Sequence, residues 1–107
     1  MKDGLYSITF TTTEGTLGEG ACLVRDGTFV GADFLHSYHG TIASDGSRLT
    51  VVMHCRRHAA EFVSQMNLPM EFDLHWKGEE TTKGFVVETP LPGAGVILRA
   101  TLDYIER

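Results

Sequence analysis

The residues of this chain whose types could do chemistry are five histidines, two cysteines and the pair Asp33 and Tyr38. His54, Cys55 and His58 stand closest to a metal or nucleophile pattern. His54 and His58 are four apart and would share a face on a helix. The stretch from Arg48 to Arg56 alternates like a strand, however, so His54 and Cys55 point to opposite faces and His58 lies past the strand end. His36 and His39 bracket Tyr38 and also fall on opposite strand faces. No pair repeats the ligand spacing of a zinc site, and no metal is expected. A cysteine nucleophile needs a lowered pKa and a neighbouring base. Arg56 and Arg57 could lower that of Cys55, but Val51 and Met53 on the same face place the thiol in an apolar row. Gly18-Glu19-Gly20 does not lead into a helix, so it is no dinucleotide loop. No carboxylate pair or triad stands out. The chain is therefore expected to be no enzyme and to carry no cofactor. Asp33 suits a strand end, where its carboxylate can accept backbone N–H groups, and Tyr38 suits a packed site with its hydroxyl bonded.

The elements that position these residues are strands. Arg25-Asp26-Gly27-Thr28 joins two apolar runs, and Asp-Gly supplies the two positive-φ residues of a type I′ hairpin turn. Leu5 to Thr13 alternates Tyr6, Ile8 and Phe10 with Ser7, Thr9 and Thr11. Leu17 to Arg25 follows, and its Gly18 and Gly20 share one face, which suits a barrel corner or the close approach of another backbone. Further strands are predicted over Thr28 to Phe34, Ser37 to Ser44 and Arg48 to Arg56, with Asp45-Gly46 as a second Asp-Gly turn. His58 to Met66 changes to a helical period and predicts a short helix. Met70 to Lys77 alternates most cleanly, with Met70, Phe72, Leu74 and Trp76 on one face. Gly78 to Thr82 reads as a polar turn. Gly84 to Thr89 and Val96 to Ile105 complete eight strands, separated by the turn segment Pro90 to Gly95. Eight short antiparallel strands fit an all-β, up-and-down, lipocalin-like barrel with one short helix, a single domain over 1–107.

The totals narrow the function classes. Net charge is −5 over 107 residues, which argues against nucleic acid and against electrostatic binding to anionic membranes. No apolar run reaches the roughly 18 residues of a membrane span. Cys22 and Cys55 are far apart, and Met1-Lys2-Asp3-Gly4 runs into a strand pattern without an apolar leader. Two reduced, buried thiols and a cytoplasmic location are the expectation.

Several short motifs in the first forty residues add a resemblance. They are Met1-Lys2-Asp3-Gly4-Leu5-Tyr6-Ser7-Ile8 with Phe10, then Gly18-Glu19-Gly20, Gly27, and Gly31-Ala32-Asp33 with Tyr38 and Gly40. Together they resemble the GrlR family, negative regulators of type III secretion in enteric pathogens, whose pattern is close to KDGxYxxxF, GEG and GGDxxxxYxG. Ala32 replaces the second glycine of the last element. The resemblance implies a lipocalin-like barrel that forms homodimers, does no chemistry and regulates transcription by holding an activator protein. It places partner binding on the loop Ser44-Asp45-Gly46-Ser47. The family's enteric regulator carries four acidic residues there, and this chain only Asp45.

Two functional expectations follow. The first is a non-enzymatic regulatory protein acting through protein–protein contact, as the resemblance implies. The second is a carrier or sensor of a small apolar ligand, such as a lipid or fatty acid. Its candidate ligand-facing residues are Tyr38, Met53, Phe72, Leu74, Trp76, Phe85 and Val87. That row reads equally as core, because in a barrel the interior and a ligand site can be the same surface.

Overall fold

A computed structural model describes residues 1–58, 69–91 and 95–106. Eight strands close into one barrel: β1 (Gly4–Thr12), β2 (Gly15–Arg25), β3 (Thr28–Asp33), β4 (His36–Asp45), β5 (Arg48–Arg57), β6 (Glu71–Glu80), β7 (Gly84–Pro90) and β8 (Ile97–Glu106). Each strand pairs antiparallel with the next, and β1 pairs with β8. The pairings run round the whole barrel, although β6 meets β7 only over Lys77 to Glu80. Among the described residues there is no helix. The helix expected over His58 to Met66 falls, apart from His58, outside them.

Alternation decides the interior. Tyr6, Ile8 and Phe10 of β1, Val51, Met53 and Cys55 of β5, and Leu74 and Trp76 of β6 are all buried. Their sequence neighbours Ser7, Thr9, Val52, His54, Asp73 and His75 are exposed or half-buried. A one-residue slip would turn every one of these rows inside out, so the period-two pattern also sets the register.

The first hairpin has the expected turn, with φ of 51° at Asp26 and 74° at Gly27. The second turn sits one residue later than expected. Asp45 pairs with Arg48, so the turn residues are Gly46 and Ser47, and only Gly46 has positive φ. The expected polar turn over Gly78 to Thr82 is corrected as well. Strand β6 continues to Glu80, pairing Lys77 to Glu80 with Glu88 to Phe85, and the Glu80 N–H donates to the Ser47 carbonyl at 2.8 Å. Gly78 is a strand residue at a point of close approach, since a Cβ there would lie 1.8 Å from the Val86 carbonyl oxygen. Met70 precedes β6 and is exposed rather than facing inward with Phe72, Leu74 and Trp76.

The two ends of the barrel differ. At the end holding the β2–β3 and β4–β5 turns, the Tyr6 hydroxyl donates to the Lys2 carbonyl at 2.6 Å, and the Lys2 ammonium lies 4.8 Å from the centre of the Tyr104 ring. The other end carries the β1–β2, β3–β4, β5–β6 and β7–β8 connections.

Candidate functional site

A cavity of about 260 Å³ opens at that second end. Its lining comes from distant parts of the chain. Phe10 lies near the end of β1, Gly18 and Glu19 lie in the first half of β2, Asp33 to His36 span the β3–β4 connection, and Leu91 and Leu98 flank the β7–β8 connection. From the middle strands come Tyr38, Met53, Cys55, Phe72 and Leu74. Leu17 and Phe34, which also line it, are 42% and 75% exposed, so apolar side chains reach out toward solvent around the cavity.

Glycine makes part of the space. Gly18 and Gly20 lie opposite the inward-facing Phe10 and Ile8 and so belong to the inner face of β2. A Cβ on Gly20 would sit 2.5 Å from the Ala32 carbonyl oxygen and 2.6 Å from the Tyr38 hydroxyl. A Cβ on Gly18 would meet nothing within 4 Å. One glycine admits the close approach that the Gly-x-Gly spacing suggests, and the other leaves open volume, which that spacing does not suggest. The pairing of β1 with β2 also shifts register at Phe10/Thr11, beside Gly18.

The polar groups of the cavity sit on the β3–β4 connection and the start of β4. The Asp33 carboxylate accepts the Leu35 N–H at 2.9 Å and the His36 N–H at 2.7 Å, which is the strand-end role expected of it. The His58 ring nitrogen Nε2 lies 3.0 Å from the Asp33 carbonyl oxygen. His36 packs edge-on against Phe72, ring centres 5.7 Å apart. Burial lowers its pKa and so favours the uncharged imidazole, against the opposing pull of Asp33. The expectation for Tyr38 is corrected in part. Its ring packs edge-on to Phe10, but its buried hydroxyl has no hydrogen-bond partner among the described residues. Burial also pushes that hydroxyl's pKa well above the ordinary phenolic range.

Of the seven residues expected to face a ligand, Tyr38, Met53, Phe72 and Leu74 line this cavity. Trp76, Phe85 and Val87 lie deeper, around a second void of about 30 Å³ that shares Phe10, Tyr38 and Met53 with the first. The loop Ser44-Asp45-Gly46-Ser47 is exposed at the opposite end of the barrel. Phe10, Leu91 and Leu98 were not expected at the cavity, because only closure of the barrel brings β1, β7 and β8 to it.

The remaining chemically capable residues do not converge. Cys22 and Cys55 are free and buried, and burial pushes both thiols up to about 12, so neither offers a thiolate. His54 stands on the outer face, 2.7 Å from Asp73 and 3.6 Å from Glu71. The hydrogen bond to Asp73 raises its pKa. Among the described residues, no three His, Cys, Asp or Glu side chains are placed to hold a metal ion, and no helix is long and apolar enough to cross a membrane.

Compared with known proteins, the chain matches no family model and no curated protein sequence. The resemblance of the first forty residues to the GrlR family rests on its short motifs alone.

Proposed function

We propose that this barrel binds a small, largely apolar molecule in the cavity at its open end and acts as its carrier or sensor. The observation that carries the reading is the cavity itself, about 260 Å³ walled mainly by Phe10, Met53, Phe72, Leu74, Leu91 and Leu98. An apolar cavity of about 150 Å³ already takes up benzene, and ligand sites are concave, mostly apolar and few per protein. A cavity closed by flexible side chains such as Met53 can also adjust to its occupant. Gly18→Phe tests the reading, because residue 18 faces the cavity and a side chain there meets no obstacle at its base. Isothermal titration with ethylbenzene should show binding to the wild type and at least about tenfold weaker binding to Gly18→Phe. Equal binding by the two, or none by the wild type, would sink the reading.

A second reading, regulation by protein contact as the GrlR resemblance implies, is favoured by a different surface. Leu23 and Val30 are direct partners across β2 and β3, and both stand exposed on the outer face, 44% and 59% respectively. A homodimer seated on that row would bury them. Sedimentation of the wild type and Val30→Asp checks this: a dimer that the charge converts to monomer supports it, and a wild-type monomer at all concentrations refutes it.

A further inference from the structure

Building on the reading of the cavity as a ligand site, we propose that its ligand is an uncharged amphiphile, an apolar body ending in a hydroxyl or carbonyl oxygen, and that the Tyr38 hydroxyl recognises that oxygen. Tyr38 is only 3% exposed, and its hydroxyl has no hydrogen-bond partner among the described residues. A buried hydroxyl left unpaired is costly, and phenylalanine would fill the same space without that cost. The hydroxyl therefore asks for a partner that the described part of the fold does not supply. His36 stands two residues earlier on β4, on the same face, and its Nε2 is likewise buried without a partner. Both side chains line the cavity. A mainly apolar chamber thus carries two unmatched polar atoms on one wall, the arrangement that fixes orientation in small-molecule sites.

The hydroxyl is also placed at the usable space. It lies where a Cβ on Gly20 would be 2.6 Å away, and Gly18, the next inward position of β2, opens onto volume with nothing within 4 Å. Trp76 offers a contrast. Its indole Nε1 is unpartnered too, but Trp76 borders only the void of about 30 Å³, which is far too small for an organic ligand. The charge of the lining selects against an anion. The acidic side chain at the cavity wall is that of Asp33, since Glu19 alternates outward between Gly18 and Gly20, and no lysine or arginine is among the lining residues. Arg57 stands directly opposite His36 across β4 and β5, with its Nε buried and unpartnered among the described residues, but it is not among the lining residues, and burial favours the uncharged form of His36. A fatty acid carboxylate would meet the Asp33 carboxylate and lose its hydration. An alcohol, aldehyde or ester accepts the Tyr38 O–H without that penalty.

Titrations of 1-octanol, octanoate and ethylbenzene into wild type, Tyr38→Phe and Gly18→Phe at neutral pH test the assignment. The wild type should bind 1-octanol at least about tenfold more tightly than octanoate. Tyr38→Phe should weaken 1-octanol about five- to tenfold and leave ethylbenzene within about twofold, since only one hydrogen bond is removed. A merely structural role for Tyr38 would shift both ligands together. Octanoate binding as tightly as 1-octanol, or a Tyr38→Phe variant that treats 1-octanol as the wild type does, overturns the proposal. If ethylbenzene binds and Gly18→Phe blocks it while 1-octanol shows no dependence on Tyr38, the cavity reading stands and only this assignment falls. If none of the three binds the wild type, both fall together.

Discussion

Gly40→Ala should cost the barrel about 3 kcal/mol or more, whereas Gly18→Ala should leave stability unchanged or raise it by up to about 1 kcal/mol. Both glycines lie on inner faces of strands, and neither has positive φ. The difference lies in what surrounds the added methyl group. At Gly40 a Cβ would fall 1.8 Å from the Val52 carbonyl oxygen and 3.0 Å from the Phe29 ring. The oxygen belongs to the backbone of β5, which is paired with β4 along its whole length, so it cannot turn aside as a side-chain end could. Relief requires shifting two paired strands, in a domain whose total stability is typically only about 5–15 kcal/mol. Gly78 should behave like Gly40, because its Cβ would lie 1.8 Å from the Val86 carbonyl oxygen. At Gly18 the methyl group meets nothing, and alanine reduces the freedom of the unfolded chain. Urea denaturation of the three variants measures the contrast. Wild-type stability in Gly40→Ala would mean that β4 and β5 do not approach each other this closely.

The same comparison shows what the chain discloses by its sequence and what it withholds. Arg25-Asp26-Gly27-Thr28 declares its hairpin because both central residues are of types that tolerate positive φ, and local chemistry decides the turn. The rows Tyr6-Ile8-Phe10 and Phe72-Leu74-Trp76 declare strands because period two is a local property. Which side of each row faces inward is not local, and closure of the barrel settles it. Asp45-Gly46 carries the same signal as the first hairpin, yet pairing of Asp45 with Arg48 moves the turn onto Gly46 and Ser47. Gly78 reads as a turn residue for an equally local reason. Its actual role comes from the neighbouring β7 backbone, which no pattern within β6 encodes. The cavity is the least legible feature. Four of the seven residues of the expected ligand-facing row reach it, but Phe10, Leu91 and Leu98 are brought there by strand pairings that join the two ends of the chain. The unpaired Tyr38 hydroxyl is likewise visible only once its surroundings are known.

Trp76→Ala should lower stability by about 4 kcal/mol, and a small aromatic ligand should restore part of the loss. Trp76 is 1% exposed, pairs with Val51 across β5 and β6, and has its ring centre 6.3 Å from that of Phe10. It already borders a void of about 30 Å³, so truncation enlarges an existing defect rather than opening one in a collapsible surface. Removal of the indole also deletes the unpartnered Nε1 donor, which offsets the loss by about 1 kcal/mol and keeps the expected cost below the upper end for a buried tryptophan. Because Phe10, Tyr38 and Met53 line both voids, the space vacated by Trp76 borders the open cavity. Benzene binding there at tenfold over its Kd should return about 1.4 kcal/mol, seen as a rise in the urea midpoint of Trp76→Ala that exceeds any rise in the wild type. A truncation that costs less than about 1 kcal/mol would show that this tryptophan does not pack in the barrel interior. A large cost with no selective rescue would show instead that the enlarged interior collapses around the missing ring, and that the wall formed by Phe10, Tyr38 and Met53 is softer than its packing implies.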